Sequence, residues 1–402
     1  MTGKEIMEMT EEYGAHNYHP LPVVLTKGKG IWVWDSEGKK YIDMLSCYSA
    51  LNHGHRHPAL IKAVKEQINK LTLTSRAFYN EQLGPFCKEL AELCGMDMVL
   101  PMNSGAEAVE TAIKIARKWG YVKKGVKHYD AEIIVCENNF HGRTVTIVSF
   151  STEPLYRDEF GPFTPGFKVI PFGDTDALEK AISPNTVAFL VEPIQGEAGI
   201  NVPPDGFLKN AYDICRKNNV LLMFDEIQTG LGRTGKFFAH QYEEGVKPDV
   251  LILGKALGGG IYPVSAVVSN KEVLGLFTWG EHGSTFGGNP LAAYIGRVAL
   301  RILKEERLTE NSYEIGNYFM EKLRKIKSRH IKEVRGKGLL IGVELHKEAG
   351  GARRFCEALM KEGLLCKETH ENVIRFAPPL IIKKKDINLA IRKIKKVFQE
   401  LD

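Results

Sequence analysis

The sequence lacks the long apolar run that a membrane-spanning helix requires, and neither sign of charge dominates it. No stretch approaches the roughly 18–20 consecutive apolar residues that cross a bilayer. The 54 basic and 49 acidic residues leave a net charge of +5 over 402 residues, without the concentrated basic face typical of nucleic-acid-binding proteins. The most basic segment, 383–396, has isoleucines at helical spacing and predicts an amphipathic helix with a solvated basic face. We expect neither a membrane nor a nucleic-acid partner.

Cysteine motifs and a basic leader are also missing. The seven cysteines are irregularly spaced and form no Cys-x-x-Cys pair, which indicates free, mostly buried thiols in a reducing compartment. The first arginine is Arg56, after glutamates at 5, 8, 11 and 12, whereas a mitochondrial presequence is rich in arginine and poor in acids. These features predict a cytoplasmic protein or a mature form from which a leader has been removed.

Between about residues 96 and 300, short apolar runs alternate with helical segments. The runs are Met98–Leu100, Ile133–Cys136, Val187–Val191, Val220–Phe224, Val250–Leu253 and Val264–Val268. Continuous apolar strands separated by helices predict an α/β fold with a mostly parallel sheet covered on both faces. Ligands bind beyond the carboxyl ends of such strands, where Glu192, Asp225 and Lys255 follow three of these runs.

The flanking segments predict a smaller unit. Residues 23–43 read as a β-ribbon after an irregular N-terminal arm, and Gly338–Leu345 and Val373–Phe376 read as strands between helices. We predict a division into an N-terminal arm and ribbon at 1–45, which belongs to the small domain, a large domain at 46–300, and a C-terminal small domain at 301–402.

A Gly-x-Gly-x-x-Gly pattern occurs at Gly230–Gly235. A dinucleotide-binding fingerprint needs the first glycine directly after a strand and a helix after the last. The four residues Glu226 to Thr229 separate Gly230 from the predicted strand that ends at Asp225, and no clear helix start follows. A glycine-rich active-site loop is therefore the favoured interpretation, and a nicotinamide-dependent dehydrogenase the weaker one.

Three histidines alternate in His53-Gly54-His55-Arg56-His57. No cysteine or carboxylate cluster accompanies them to complete the ligand set of a metal site. We interpret the segment as a packed loop and expect no metal.

Residues Asn103–Ala108 follow an apolar strand and open a helical pattern. Free N–H groups at a helix start bind phosphate well, and Gly105 would let a ligand approach closely. An ordinary N-cap by Asn103 or Ser104, with Glu107 completing a capping box, explains the pattern equally well.

Lys255 is the most specific signal. It ends an apolar strand and precedes Ala256-Leu257-Gly258-Gly259-Gly260, where desolvation would lower the pKa of its ammonium and favour Schiff-base chemistry. Asp225 ends the preceding strand, about one β-α-β step upstream. Pyridoxal phosphate needs a lysine for its aldehyde, a carboxylate for its ring nitrogen and a phosphate cup, and Lys255, Asp225 and the helix start at Gly105 would supply all three.

Over nearly its whole length, the sequence resembles the class III, fold type I, pyridoxal phosphate-dependent aminotransferases, and among them the ornithine-specific branch. The similarity is carried by Gly14–Pro20, Leu73–Asn80, Val191–Gly199, Asp225–Gly230, Gly254–Leu257, Glu281–Thr285 and Ile374–Pro379. The resemblance implies a fold type I transferase with a large domain of mostly parallel sheet and a smaller α+β domain.

The resemblance also implies the residues that hold the cofactor. Lys255 would bind it covalently and move the substrate proton, and Asp225 would pair with its ring nitrogen. Gln228 would bind the phenolic oxygen, with Phe140 and Ile227 on the two ring faces. Gly105 and Ala106 would give backbone N–H groups to the phosphate, and Thr285 would reach it from the neighbouring subunit of a homodimer. Ser104 and Ser284 are also expected to bind the cofactor.

By the same resemblance, Tyr18 and Arg143 would hold the α-amino and α-carboxylate groups of ornithine away from the cofactor. Arg143 would grip the far carboxylate of 2-oxoglutarate, and Arg375 its α-carboxylate. Glu197 would shield Arg375 during the ornithine step and swing away for the oxo acid, since an unpaired arginine favours α-transamination. Tyr48 would line the pocket.

The implied reaction is ping-pong transfer of the δ-amino group of L-ornithine to 2-oxoglutarate, which gives glutamate 5-semialdehyde and glutamate. Aminotransferases for N-acetylornithine or 4-aminobutyrate share Lys255, Asp225, Glu197 and Arg375, and they remain an alternative that Tyr18 discriminates against. A non-catalytic protein on the same fold is a third possibility, but the retained lysine, aspartate and substrate arginines argue against it.

Overall fold

Fifteen strands, numbered in chain order, form three sheets in the computed structural model, which describes all residues from Met1 to Asp402. They are β1 Leu25–Lys29, β2 Trp32–Asp35, β3 Lys40–Asp43, β4 Met98–Met102, β5 Glu132–Cys136, β6 Phe167–Ile170, β7 Thr186–Val191, β8 Leu221–Asp225, β9 Val250–Leu253, β10 Ser265–Ser269, β11 Ile331–Lys337, β12 Leu340–Leu345, β13 Leu364–Leu365, β14 Lys367–Thr369 and β15 Val373–Phe376.

The central sheet has seven strands in the order β4-β10-β9-β8-β7-β5-β6. Strand β10 runs antiparallel to both of its neighbours, and the remaining pairs are parallel. Every residue of β7, β8, β9 and β10 is buried, which explains their continuous apolar sequences. The predicted mostly parallel sheet is confirmed. The edge strand β6 was missed because Lys168 interrupts its apolar run.

Helices cover both faces of this sheet. Right-handed helices occupy Gly3–Tyr13, Pro58–Ile68, Leu83–Cys94, Gly105–Trp119, Val145–Val148, Pro154–Arg157, Thr175–Ala181, Phe207–Lys217, Lys271–Leu274, Pro290–Glu305, Leu308–Arg324, Arg353–Lys361 and Lys384–Leu401. Successive residues of β5 enter different hydrophobic clusters: Ile133 packs with the helix Gly105–Trp119, whereas Ile134 packs in the larger cluster on the opposite face. None of the helices combines the length and apolar character that crossing a membrane would require.

The N-terminal arm was expected to be irregular, but it forms a helix. Its helix Gly3–Tyr13 begins with a capping box, in which Thr2 Oγ1 accepts a hydrogen bond from Glu5 N and Glu5 Oε2 accepts one from Thr2 N. The residue pattern Thr-x-x-Glu was readable from the sequence. The expectation was wrong although the cap is local, and the helix itself buries no residue.

The ribbon β1-β2-β3 is confirmed, and β13 extends it in parallel with β3. The N-terminal ribbon and the C-terminal segment thus share one sheet, as their assignment to a common small domain requires. The third sheet has the order β11-β12-β15-β14, and the helix Lys384–Leu401 is amphipathic as predicted, with Ile387 and Ile394 fully buried. The boundaries at 45/46 and 300/301 stay a prediction.

Candidate active site

Lys255 and Asp225 lie at the carboxyl ends of two adjacent strands. Asp225 is the last residue of β8 and is paired in register with Ile252 of β9, three residues before Lys255. Lys255 has a left-handed φ of 45°, a strained conformation that non-glycine residues adopt mainly at functional positions. Desolvation lowers the pKa of its ammonium, although the negative charges of Glu197 and Asp225 oppose that shift. The parallel sheet therefore brings the predicted nucleophile and carboxylate together.

His141 contacts Asp225 in this site, although the sequence reasoning assigned it no role. Its Nδ1 lies 2.7 Å from Asp225 Oδ2, and neither side chain is more than 5% exposed. Burial lowers the pKa of His141, but the hydrogen bond and charge of Asp225 outweigh it and raise the pKa overall. The backbone N–H of Ile227 donates to the other Asp225 oxygen at 3.0 Å. The available signal was the position of His141 just beyond β5, at the same sheet edge as Asp225.

Glu192 joins two loops beneath this site. One carboxylate oxygen accepts from Phe140 N at 3.0 Å and the other from Gly196 N at 3.3 Å. Burial raises the pKa of Glu192 to about 7; the charge of His141 lowers it, whereas that of Asp225 raises it further. Glu192 was noticed as a strand-end residue, but its bridging of the Phe140 and Glu197 loops depends on the tertiary structure.

The helix Gly105–Trp119 begins with the capping box that the sequence suggested. Ser104 Oγ accepts from Glu107 N at 3.2 Å, and Glu107 Oε2 accepts from Ser104 N at 2.6 Å. The N–H groups of Gly105 and Ala106 then have no acceptor within the helix. The cap and the free first-turn donors therefore coexist, and the two interpretations of this segment are compatible.

Ile227 and Ser284 border this helix start. A Cβ atom on Gly105 would lie 3.0 Å from Ile227 Cδ1, and one on Gly254 would lie 3.3 Å from Ile227 Cγ2. Ile227 thus packs between the helix start and the residue before Lys255. The amide of Asn103 donates to Ser284 Oγ at 2.7 Å, whereas Thr285 is exposed.

Gln228 provides an observation that tests whether pyridoxal phosphate fits here. Its Nε2 donates to Glu197 Oε1 at 3.0 Å, but its Oε1 is buried without a hydrogen-bond partner. An unpaired buried oxygen is costly, and the phenolic group of the cofactor would supply a partner. Together with the low-pKa lysine, the buried Asp225 carboxylate and the free helix-start donors, these residues fit pyridoxal phosphate.

A buried ion pair marks the inner end of the site. Arg375, only 1% exposed, donates from Nη1 to Glu197 Oε1 at 2.6 Å. Its guanidinium carbon lies 4.8 Å from the ring centre of Tyr48. Burial raises the pKa of Glu197, but the charges of Arg375 and Lys255 and the hydrogen bonds from Arg375 and Gln228 outweigh it and bring the pKa to about 2. The carboxylate is therefore ionised and neutralises the arginine.

Arg143 lies among aromatic rings at an exposed part of the site. Its guanidinium carbon is 4.6 Å from the ring centre of Tyr156, 5.6 Å from that of Tyr18 and 5.9 Å from that of Phe140. Tyr18 is 61% exposed, so its hydroxyl is open to a ligand. The structure brings the predicted pair Tyr18 and Arg143 together and adds Tyr156, which the sequence reasoning missed.

The glycine-rich segment Gly230–Gly235 contacts the C-terminal part of the chain and does not form the expected active-site loop. Arg233, fully buried, donates to Leu339 O at 2.9 Å and to Pro378 O at 2.6 Å. Gly232 and Gly235 have left-handed φ angles, and a Cβ on either would lie 2.9 Å from residues of the helix Leu308–Arg324. The glycines allow the close approach of the C-terminal segment. The sequence predicted an active-site loop here, and that prediction is corrected: the segment packs against the C-terminal part of the chain.

The three alternating histidines have separate partners. His53 Nε2 lies 2.9 Å from Ala299 O, His55 Nε2 lies 2.7 Å from Asp43 Oδ2, and His57 Nε2 lies 2.9 Å from Glu306 Oε1. The packed-loop interpretation agrees with these contacts.

Comparisons with known proteins agree with this geometry. The family model "Aminotransferase class-III" matches residues 13–398. An ornithine aminotransferase of Geobacillus sp. (strain WCH70) is 63% identical over 394 residues, which is 98% of each chain. The solved structure of the ornithine aminotransferase from Toxoplasma gondii ME49 superimposes with a TM-score of 0.98 at 46% identity and covers 100% of this chain and 96% of that one. An acetylornithine aminotransferase from Elizabethkingia anophelis has a TM-score of 0.91 at 48% identity, with both chains fully covered.

The family match spans almost the entire chain, and the buried lysine, aspartate and glutamine have the places that the cofactor requires. The chain therefore belongs to the class-III aminotransferases, pyridoxal phosphate-dependent enzymes of fold type I.

Proposed function

We propose that this enzyme is an ornithine δ-aminotransferase that converts L-ornithine and 2-oxoglutarate to glutamate 5-semialdehyde and glutamate. The observation that carries the proposal is the contact of Tyr18 with Arg143 at 5.6 Å, at a site whose inner arginine is already neutralised by Glu197. Ornithine carries its α-amino and α-carboxylate groups at one end, and this arrangement offers them partners only at the Arg143 end. Relatives at 58–63% identity carry the same name.

Pyridoxal phosphate, when bound, supplies the aldehyde that takes up the amino group and the ring that draws electrons from the reacting carbon. Lys255 would hold it at rest, and its lowered pKa lets the free amine accept and return a proton at the substrate carbon. Asp225, fixed by His141 and the N–H of Ile227, would keep a proton on the ring nitrogen. Gln228 would hold the phenolic oxygen, and Gly105 and Ala106 the phosphate.

In the first half-reaction, the hydroxyl of Tyr18 and the guanidinium of Arg143 would hold the α-amino and α-carboxylate groups of ornithine. The chain of ornithine then directs its δ-amino group toward Lys255. Glu197 bound to Arg375 leaves no free cation near Lys255 for the α-carboxylate, which disfavours the reversed orientation.

In the second half-reaction, 2-oxoglutarate has a carboxylate at each end. Arg143 would bind the far carboxylate, and Arg375 would bind the α-carboxylate after Glu197 releases it. Exchange of one carboxylate for another at Arg375 keeps the buried guanidinium paired throughout, which avoids the large cost of an isolated buried charge.

A product assay tests the proposal. The purified enzyme is incubated with 2-oxoglutarate and, separately, with ornithine, N-acetylornithine or 4-aminobutyrate. Glutamate 5-semialdehyde cyclises to a pyrroline that an aromatic aminoaldehyde traps as a coloured adduct. We expect colour and glutamate with ornithine alone. Turnover only with N-acetylornithine or 4-aminobutyrate would refute the proposal and favour the alternative, an aminotransferase for one of these two donors. This alternative is tested because the acetylornithine aminotransferase from E. anophelis is also similar to the chain.

We also propose a homodimer with shared active sites. Large apolar side chains are strongly exposed in two segments that flank the site, with Tyr79 and Trp279 fully exposed and Phe78 70% exposed, and exposed apolar clusters mark association surfaces. Thr285 lies in the second of these segments. Sedimentation should give twice the 45.0 kDa chain mass, and a monomeric enzyme would overturn this part. In a hybrid of inactive Lys255→Ala and Thr285→Ala subunits, the cofactor affinity should differ from that of the Thr285→Ala homodimer.

A further inference from the structure

Four consecutive non-glycine residues form a left-handed turn beside the site. Ser46, Cys47, Tyr48 and Ser49 have φ angles of 52°, 48°, 57° and 73°. Non-glycine residues adopt this conformation singly and at a cost. A run of four persists only if the surrounding structure holds it.

Asp43 holds the entrance of this turn. Its Oδ1 accepts two backbone hydrogen bonds, from Leu45 N at 2.9 Å and from Ser46 N at 2.8 Å. The hydroxyls of Ser46 and Ser49 are buried without partners, so these serine side chains do not stabilise the turn through hydrogen bonds.

His55 in turn holds Asp43. Its Nε2 lies 2.7 Å from the second carboxylate oxygen of Asp43. The backbone of His55 exchanges two hydrogen bonds with Gly30, at 2.8 and 2.9 Å, and a Cβ on Gly28 would lie 2.8 Å from the imidazole. The imidazole is therefore fixed by backbone pairing and by close packing against the ribbon β1-β2.

The turn and Arg375 are anchored to each other. Met44 O, at the entrance of the turn, accepts from Ala377 N at 2.7 Å, two residues after Arg375. From this turn, the ring of Tyr48 stacks on Arg375, with 4.8 Å from the ring centre to the guanidinium carbon. A stacked ring covers one face of a guanidinium and leaves its N–H edge free for a carboxylate.

We propose that Asp43 and His55 are positioning residues for substrate selection. They clamp the left-handed turn, and the clamped turn holds the Tyr48 ring against Arg375. The arginine then presents its N–H edge to the α-carboxylate of the oxo acid. This inference rests on the proposed function, since it assigns the oxo acid to Arg375 and ornithine to Tyr18 and Arg143. The clamp therefore acts on one substrate of the pair.

Removal of the clamp should let the turn relax and carry Tyr48 off Arg375. In Asp43→Ala and His55→Phe, the KM for 2-oxoglutarate should rise about tenfold, the loss expected when a partly buried ring–guanidinium contact is removed. The KM for ornithine should stay within about twofold, because ornithine does not reach Arg375 in its productive orientation. His55→Phe keeps an aromatic ring at this position and leaves Asp43 in place, so it carries the test if Asp43→Ala does not fold.

Two variants separate positioning from general stability. Asp43→Asn keeps an oxygen for the two N–H groups and can donate its amide to an unprotonated His55 Nε2, so it should restore most of the affinity for 2-oxoglutarate. His57→Phe removes a similar imidazole–carboxylate pair, with Glu306, from the same segment, and it should change neither KM even where it lowers the melting temperature.

Binding of glutarate, an unreactive dicarboxylate, to the holoenzyme by titration calorimetry gives a second readout. The Kd should rise in Asp43→Ala and His55→Phe and not in His57→Phe. Equal changes in both KM values, or unchanged glutarate affinity, would overturn the clamp. If the wild-type enzyme does not turn over ornithine, the proposed function fails, and the glutarate comparison still decides whether the clamp positions Arg375.

Discussion

Oε1 of Glu197 lies 2.6 Å from Nη1 of Arg375, although 178 residues separate the two in sequence. The same oxygen accepts the amide of Gln228 at 3.0 Å. A substrate carboxylate that takes the place of Glu197 at Nη1 of Arg375 would also displace the oxygen that accepts from Gln228. Under the proposed function, this shared oxygen would link the choice of substrate at Arg375 to Gln228, the residue proposed to hold the phenolic oxygen of the cofactor.

Glu197→Gln should shift selectivity from ornithine toward glutamate as amino donor. In this variant, Arg375 is no longer neutralised, so the α-carboxylate of glutamate does not compete with the Glu197 carboxylate for the guanidinium. A charge-assisted hydrogen bond of about 1.5–3 kcal/mol corresponds to a change of about tenfold or more in relative rate. Half-reactions followed by cofactor absorbance give the ratio directly. Glu344→Gln removes a comparable partly buried carboxylate, which is paired with Arg335, and should leave the ratio of the ornithine and glutamate rates unchanged. An unchanged ratio in Glu197→Gln would mean that the pair of Glu197 and Arg375 has no role in substrate selection.

Tyr18→Phe should raise the KM for ornithine about fivefold, the cost of about one neutral hydrogen bond, with 2-oxoglutarate use largely intact. The phenylalanine ring keeps the contact with Arg143, so only the hydroxyl that faces the α-amino group is lost. Steady-state kinetics with each substrate varied gives both values. Tyr13→Phe, at another exposed tyrosine, is the matched control, and equal losses for the two substrates would contradict the assignment of Tyr18.

Tyr156→Leu should raise the KM for ornithine and for 2-oxoglutarate together. The Tyr156 ring lies 4.6 Å from the Arg143 guanidinium, and both substrates are assigned a carboxylate at Arg143. A cation–π contact of about 0.5–2 kcal/mol corresponds to a few-fold up to about thirtyfold loss. Tyr156→Phe keeps the ring and should retain nearly full affinity; a loss confined to one substrate would show that Arg143 serves only that substrate.

Glu192 should make the stability of the enzyme depend on pH. Its pKa is about 7 in the folded chain, against an ordinary value of 4.5. A pKa raised by folding means that the contribution of this carboxyl group to stability is full below pH 4.5 and is lost as the pH rises through about 7. The difference of about 2.5 pH units corresponds to roughly 3 kcal/mol.

Scanning calorimetry of the holoenzyme between pH 5 and pH 8 checks this sign. Glu192→Gln cannot ionise, so the melting temperature of the wild type should fall relative to that of the variant as the pH rises. Parallel curves for the two proteins would mean that Glu192 is not the group that titrates in this range.

Much of the framework was readable from local sequence because its causes are local. The central strands other than β6 were predicted from apolar runs, since strands buried on both faces have no polar alternation. The start of the helix at Gly105 followed from the Ser104 and Glu107 capping pattern. The N-terminal helix was missed, although its Thr2 and Glu5 capping box is equally local, because apolar periodicity was given more weight than the cap.

The site was predictable where chemistry is tied to strand ends. Asp225 and Lys255 were identified because the carboxyl ends of neighbouring parallel strands meet at one edge. His141, Glu192 and Tyr156 were not assigned roles, because a histidine, a glutamate or a tyrosine in a loop has many possible partners. Only the folded chain shows that His141 binds Asp225, 84 residues away.

The sequence by itself determined the alternating framework, the capped helix start, the lysine and aspartate at strand ends, and the resemblance to the family. These depend on residue patterns within one element or one β-α-β step. The tertiary structure alone decided the network of His141 and Glu192 and the left-handed turn at Ser46–Ser49, and it supplied the geometry of the pair between Glu197 and Arg375 that the resemblance had implied. Such features need contacts across the fold: an ion pair depends on which loops packing brings together, and a run of left-handed residues is locally unfavourable and persists because distant residues such as His55 hold it in place.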